Sequence, residues 1–358
     1  MVFSRMQRCL MATLCMLSPS LCAAQQFVNG ANFICFQVGE GFDTFPMSVN
    51  NSLTVTGYYI NQAGVTGGFI RNADGEVITF AVAGSALTSP VAINAAGEIA
   101  GNTIDTKGNS YGFVRYANGS IATFNPGGNN PGATEVAGIN EKGTVVGDYE
   151  RINTVVPQHG FIRTVDGVIT TFDVPGSDRT EPVGINAAGQ VAGIYWSHGN
   201  DFPGGFVRFP DGDITTYPGV PVGINAAGYI AGWSVLSPAV DQGFVRFPGG
   251  SINSFVLPGE PDSLYMGINE AGFIFGNDLV LGPVIGSGRV ADRQVYLRSP
   301  NGTMTSFGFP GSLKTVATSM NDSNVITGAT DQGRDSFGFL RIPEAEQDEQ
   351  GVLAKTEK

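Results

Sequence analysis

The sequence predicts an all-β protein, a seven-bladed β-propeller of four-stranded antiparallel blades closed by its N-terminal strand. Three observations predict it. A hairpin pattern recurs seven times along the 358 residues, aligned on Asn50, Asn94, Asn140, Asn186, Asn225, Asn269 and Asn321. A second anchor follows each copy, at Arg71, Arg115, Arg163, Arg208, Arg246, Arg298 and Arg341. The two ends of the repeat array are also complementary: the last copy stops after its third strand, and a lone strand precedes the first. Steps of 44, 46, 46, 39, 44 and 52 residues between hairpins fit one four-stranded blade each.

Repeat four shows how each element arises. Pro182-Val183-Gly184-Ile185 forms one short strand and the run from Gln190 to Trp196 the next. Asn186-Ala187-Ala188-Gly189 joins them: Asn accepts hydrogen bonds from its own turn, and Gly tolerates positive φ. Gly205-Phe206-Val207-Arg208-Phe209 is the third strand. Asp211-Gly212 turns it into the fourth, Ile214-Thr215-Thr216-Tyr217, rich in β-branched and aromatic residues. The lone strand, Phe33 to Val38, matches the fourth-strand segment ending at Val174, so it supplies the missing outer strand of the last blade. The residue two before each hairpin Asn is Ser48, Ala92, Gly138, Gly184, Gly223, Gly267 or Ser319. All are small, as crowded innermost strands require.

Composition agrees. Gly makes up 51 of 358 residues and charged residues only 14%, which many turns and two-sided burial would produce. Residues 1–24 read as a secretory signal peptide: Arg5 and Arg8, an apolar run from Cys9 to Leu17, then Cys22-Ala23-Ala24. The apolar run is too short for a membrane anchor. Residues 25–342 are the propeller, and residues 343–358 an acidic tail of disordered type. Cleavage leaves Cys35 as the sole cysteine, hence no internal disulfide, in a secreted protein that is extracellular or periplasmic. Removing Arg5 and Arg8 from 19 basic residues leaves 17 against 31 acidic ones, a net charge of −14. That disfavours nucleic acid and anionic membranes as partners; a monomer without cofactor is expected.

The pattern Gly-Ile-Asn-x-x-Gly, then Gly-Phe-Val-Arg, then Asp-Gly-x-Ile-Thr-Thr-Phe resembles the bacterial extracellular HAF-type repeat family over nearly the whole chain. The His-Ala-Phe triplet of that family stands here as Gly-Phe-Val or Gly-Phe-Ile. The resemblance implies secretion and repeat architecture, and no catalytic residues.

No nucleophile, metal or phosphate motif is present: His159 and His198 are the only histidines and have no metal-ligand spacing. The seven Arg residues are expected to pair across hairpins with acidic or amide neighbours three positions on, as Arg71 with Asp74. Variation concentrates between second and third strands. There sit Tyr58, Tyr59, Tyr149, Arg151, His159, Tyr195, Trp196, His198 and Trp233, the candidate ligand-binding residues of one face. They point to a binding module for a carbohydrate or an extracellular protein surface. The alternatives are a polysaccharide hydrolase or lyase using carboxylates such as Asp148, Glu150 and Asp278 at the channel mouth, and a structural surface protein.

Overall fold

Each hairpin forms because its Asn satisfies the turn from inside. Asn140 Oδ1 accepts the backbone N–H groups of Lys142 and Thr144, both at 3.0 Å, and Gly143 takes φ +74°. In the last repeat Asn324 holds that position at φ 58°, the amide-bearing substitute that best tolerates it. The computed structural model describes residues 26–344, apart from 29, 129–130, 152–157, 198, 200–202, 236–240, 257–263, 286–287, 313 and 333–334. The leader, His198 and residues 345–358 of the tail lie outside the described residues. Those described form strands and turns with no helix.

Repeat three illustrates the order: Pro131–Ile139, Val145–Arg151, Gln158–Arg163 and Ile169–Phe172 pair antiparallel in sequence. The same four-stranded meander recurs from Asp43–Val49 onward. Two departures from isolated four-stranded sheets occur. Single parallel pairings, Thr66 with Leu87 and Gln158 with Arg179, join repeats one and two, and repeats three and four, into eight-stranded sheets. The last repeat's third strand, Asp335–Pro343, pairs antiparallel with the N-terminal strand Ala31–Phe36, Phe36 lying opposite Gly338. Gln26–Val28 adds a further edge strand there.

The repeats are tied by two sets of contacts that the hairpin pattern alone does not display. First, each hairpin Asn is nearly buried and donates its Nδ2 to the backbone oxygen of the next hairpin Asn. The series runs from Asn50 to Asn94 and onward, and Asn321 returns to the oxygen of Asn50 at 3.1 Å. Second, each repeat Arg lies over an aromatic ring on the outer strand of the repeat before it. Arg208 stands 5.1 Å from the Phe172 centroid, and Arg71 stands 5.1 Å from Phe36 on the N-terminal strand. The expected ion pair with the following acid is therefore corrected. The guanidinium stacks on a ring from the neighbouring repeat, and Asp74 is only the lesser influence on Arg71, after burial, which lowers its pKa.

The core lies between sheets. Phe69, Phe113, Phe161, Phe206, Phe244 and Phe339 occupy one repeat position and are each at most 1% exposed. The Gly before most of them is required by a neighbouring ring: a Cβ on Gly112 would lie 2.3 Å from Phe124. At the centre, Gly223 lies against Gly267, where a Cβ would already touch the next backbone at 3.4 Å. The small-residue expectation holds for that reason. Cys35 departs from expectation in being disulfide-bonded.

Candidate functional site

The aromatic residues singled out from the sequence are mostly engaged in packing. Tyr58 stacks on Phe45 at 4.9 Å and Tyr59 on Phe42 at 5.5 Å. Tyr149 is 2% exposed and sits in the core between repeats two and three. Tyr195 covers Gly204, where a Cβ would lie 2.4 Å from its ring. Trp233 packs on the cluster of Ala231, Ile274 and Tyr296. The Trp196 N–H is buried outside hydrogen-bond geometry, near enough to Glu181 to favour its carboxylate form. His159 is tied through Nδ1 to Asp173 at 2.9 Å and lies against Tyr149, ring centroids 5.4 Å apart. Arg151 ends its strand opposite Pro131. Among the described residues, Tyr59, Tyr149, Tyr195 and Trp233 thus pack in four separate inter-sheet clusters.

A different constellation does converge, at the end of the inner strands remote from the hairpin Asn residues. One residue on each inner strand pairs with one on the second strand: Phe45 with Tyr58, Ser89 with Asn102, Glu135 with Asp148, Glu181 with Ile194, Val220 with Trp233, Leu264 with Asn277, and Val316 with Ala329. This level has an acidic and polar arc over repeats two to four. The arc over repeats five, seven and one is apolar and aromatic.

Asp148 is the most perturbed carboxyl of the acidic arc. Burial pushes its pKa up to about 8, and the charges of Glu135, Glu181 and Glu150 push the same way. Glu181 is also raised, mainly by burial, against the opposing pull of Arg179. Asp148 accepts a hydrogen bond from Gln158 Nε2 at 3.3 Å. Among the described residues no three His, Cys, Asp or Glu side chains group as a metal site. The sequence reading named Asp148 and Glu150 but not Glu135 and Glu181. Their shared place five residues before the hairpin Asn was the available signal. Asp278, the third carboxylate considered, lies on a described strand opposite Gln294.

No protein-family model and no curated protein matches the chain. Solved structures do. The β-propeller domain of the Trilobed protease from Pyrococcus furiosus, described as having an open velcro topology, aligns at TM-score 0.58 and 10% identity, over 86% of this chain and 99% of that one. Pyrococcus horikoshii acylaminoacyl peptidase aligns at TM-score 0.58 and 12% identity, covering 85% of this chain. Puromycin hydrolase aligns at TM-score 0.56 and 14% identity, covering 84%. The fold is a β-propeller. This propeller spans 52% of each of the two whole hydrolases. The expected carbohydrate- or protein-surface-binding module is corrected: the structures of like fold are the propeller domain of a protease, an acylaminoacyl peptidase and puromycin hydrolase.

Proposed function

We propose that the chain is a secreted seven-bladed propeller of HAF-repeat type, closed by its N-terminal strand, which works beside a peptidase and handles polypeptide at its channel mouth. Closure is supported by the strand pairing of Ala31–Phe36 with Asp335–Pro343 and by the return of the Asn series to Asn50. Secretion is supported by the leader pattern of residues 1–24. The peptidase connection takes its support from the neighbours of like fold, in which the propeller accompanies a hydrolase. The observation that carries the reading is the divided channel mouth, acidic on repeats two to four and apolar on the opposite arc. Extended peptide presents both backbone polarity and side chains, and a two-sided mouth can engage both.

A photo-crosslinking residue at Ser89, on the mouth level, should capture unfolded polypeptide. The same residue at Ile78, exposed on an outer strand, should not. Equal capture at both positions, or capture at neither, overturns the reading.

A further inference from the structure

Repeat three departs from two local patterns found in some of the other repeats, and the first departure leaves a buried hydroxyl without a partner beside the acidic arc. The first concerns the Thr six residues before the hairpin Asn. Thr88, Thr180 and Thr315 each accept, through Oγ1, the backbone N–H of Val82, Val174 or Phe309, at 2.7 to 3.0 Å. Thr44 does the same for Val38 at 3.1 Å. All four donors stand two residues after a fourth-strand Phe. In repeat three that place is Pro126, which has no N–H, and the connection from Phe124 to Thr134 is two residues longer than from Phe172 to Thr180. Thr134 is 1% exposed, and its Oγ1 has no hydrogen-bond partner.

The second pattern, found in repeats two and six, concerns the residue eight after the hairpin Asn. Asn102 Oδ1 accepts the N–H of Val136, and Asn277 Oδ1 that of Ala317, both at 2.8 Å, each on the next inner strand. Asp148 holds the same place in repeat three. The matching position on the next inner strand is Pro182, opposite Gly193 in the register where Val136 faces Gly147. Proline also holds this place in repeats one, two and five, as Pro46, Pro90 and Pro221, so Asp148 takes its hydrogen bond from Gln158 Nε2 instead. Asp148 is 7% exposed, with Glu135 directly opposite it. A buried acceptor that loses its donor is costly unless something else supplies one.

The space beside Thr134 is open. A cavity of about 540 Å³ lies between repeats two and three, lined by Thr134, Glu135, Glu150, Asn102, Asn109 and Ser110 among others. Its charge is acidic, and Arg179 acts on Glu181 beside it. Oxygens spread out in this way suit a cation that donates hydrogen bonds. An alkylammonium group offers three such donors.

We propose that this cavity and the adjoining carboxylates Glu135, Asp148, Glu150 and Glu181 bind a protonated primary amine carried on an extended peptide. The inference rests on the polypeptide-handling reading and names the group recognised. The amine arrives already charged. Its charge draws the proton from Asp148, and that proton passes to the buffer. Both the amino terminus and a lysine side chain carry this chemistry.

The test uses the full chain and three short alanine-rich peptides: one with a free amino terminus, its N-acetylated form, and an N-acetylated form with one lysine. Calorimetry near pH 7 should show the free-amine peptide binding with proton release, and affinity falling about tenfold or more on acetylation. Recovery of affinity with the lysine peptide assigns the side-chain ammonium as an equal ligand. No recovery assigns the amino terminus alone. A Glu135→Gln, Glu181→Gln double variant should lose about the same affinity while melting no earlier than the parent. A Glu76→Gln variant, altered at an exposed turn, should bind as the parent does. Equal binding of free and acetylated peptides, undiminished binding by the double variant, or no binding by any peptide overturns the proposal. Crosslinking at Ser89 that ignores acetylation would sink the amine inference and leave the polypeptide reading standing. Amine-dependent calorimetry without crosslinking would do the reverse.

Discussion

The two ends of the inner strands differ in kind. At the hairpin end every repeat makes the same joint, an Asn amide donating to the next Asn carbonyl, with all seven Asn residues at most 8% exposed. At the mouth end the paired positions range from stacked Phe45 and Tyr58 to Glu135 opposite Asp148. A joint that must fit both neighbours allows little change, whereas a residue facing open space is free to vary. The contrast separates the residues that hold the propeller from those that give it a surface.

The strongest way to break the comparison is to remove the N-terminal strand that pairs with the last repeat. Deleting residues 25–38 removes the strand paired with Asp335–Pro343 and the Phe36 ring under Arg71. It should abolish cooperative folding and yield aggregate, read by size-exclusion chromatography and thermal melting. A soluble monomer with unchanged melting would show that this pairing contributes nothing. Removing residues 345–358 serves as the control and should leave the melting curve in place.

A smaller effect is expected at a single joint. Asn186 donates to Asn225 O at 3.0 Å and accepts from Gln190 N at 2.9 Å. Asn186→Ala leaves both groups without these partners in a buried place and should cost about 2–3 kcal/mol in denaturant unfolding. A cost near zero would mean that the hairpin end is no more demanding than the mouth.

At the mouth the sign should reverse. The Asp148 pKa rises from 3.8 to about 8 on folding, so the folded state holds the proton more tightly than the unfolded chain. Its contribution is fully present below pH about 4, declines as pH climbs toward 8, and is level above that. Asp148→Asn should flatten stability across this window and make the protein more stable than the parent above pH 8, by about 2 kcal/mol. Melting curves from pH 4 to pH 9 read this directly. Parallel pH profiles for parent and variant would show that Asp148 is not held out of its ordinary range.

Much of the hairpin end was legible because its chemistry is local. Asn, two intervening residues and Gly dictate the turn, and the alternation around Phe206 dictates its burial. The partners across repeats were not legible. Arg208 has Asp211 three residues ahead, which suggests an ion pair, yet its ring partner Phe172 lies 36 residues behind. The aromatic face misled for a similar reason. Tyr59 and Tyr195 stand opposite Gly67 and Gly204 on the third strand, and a ring opposite a glycine has room to lie flat and fill the gap. Those two glycines were the readable warning. The acidic arc needs two repeats read in register, Glu135 with Glu181, and then two prolines, Pro126 and Pro182, recognised for the N–H groups they lack.

The uniform Asn joint has a consequence for how such a protein can be altered. Each repeat offers its successor the same amide and asks of it the same carbonyl, so the joint does not distinguish one repeat from another. At that joint one repeat can stand in for another. Moving repeat three with its acidic residues would leave the Asn joint unchanged and require the Gln158–Arg179 pairing and the Arg–aromatic stacks to be remade with new neighbours.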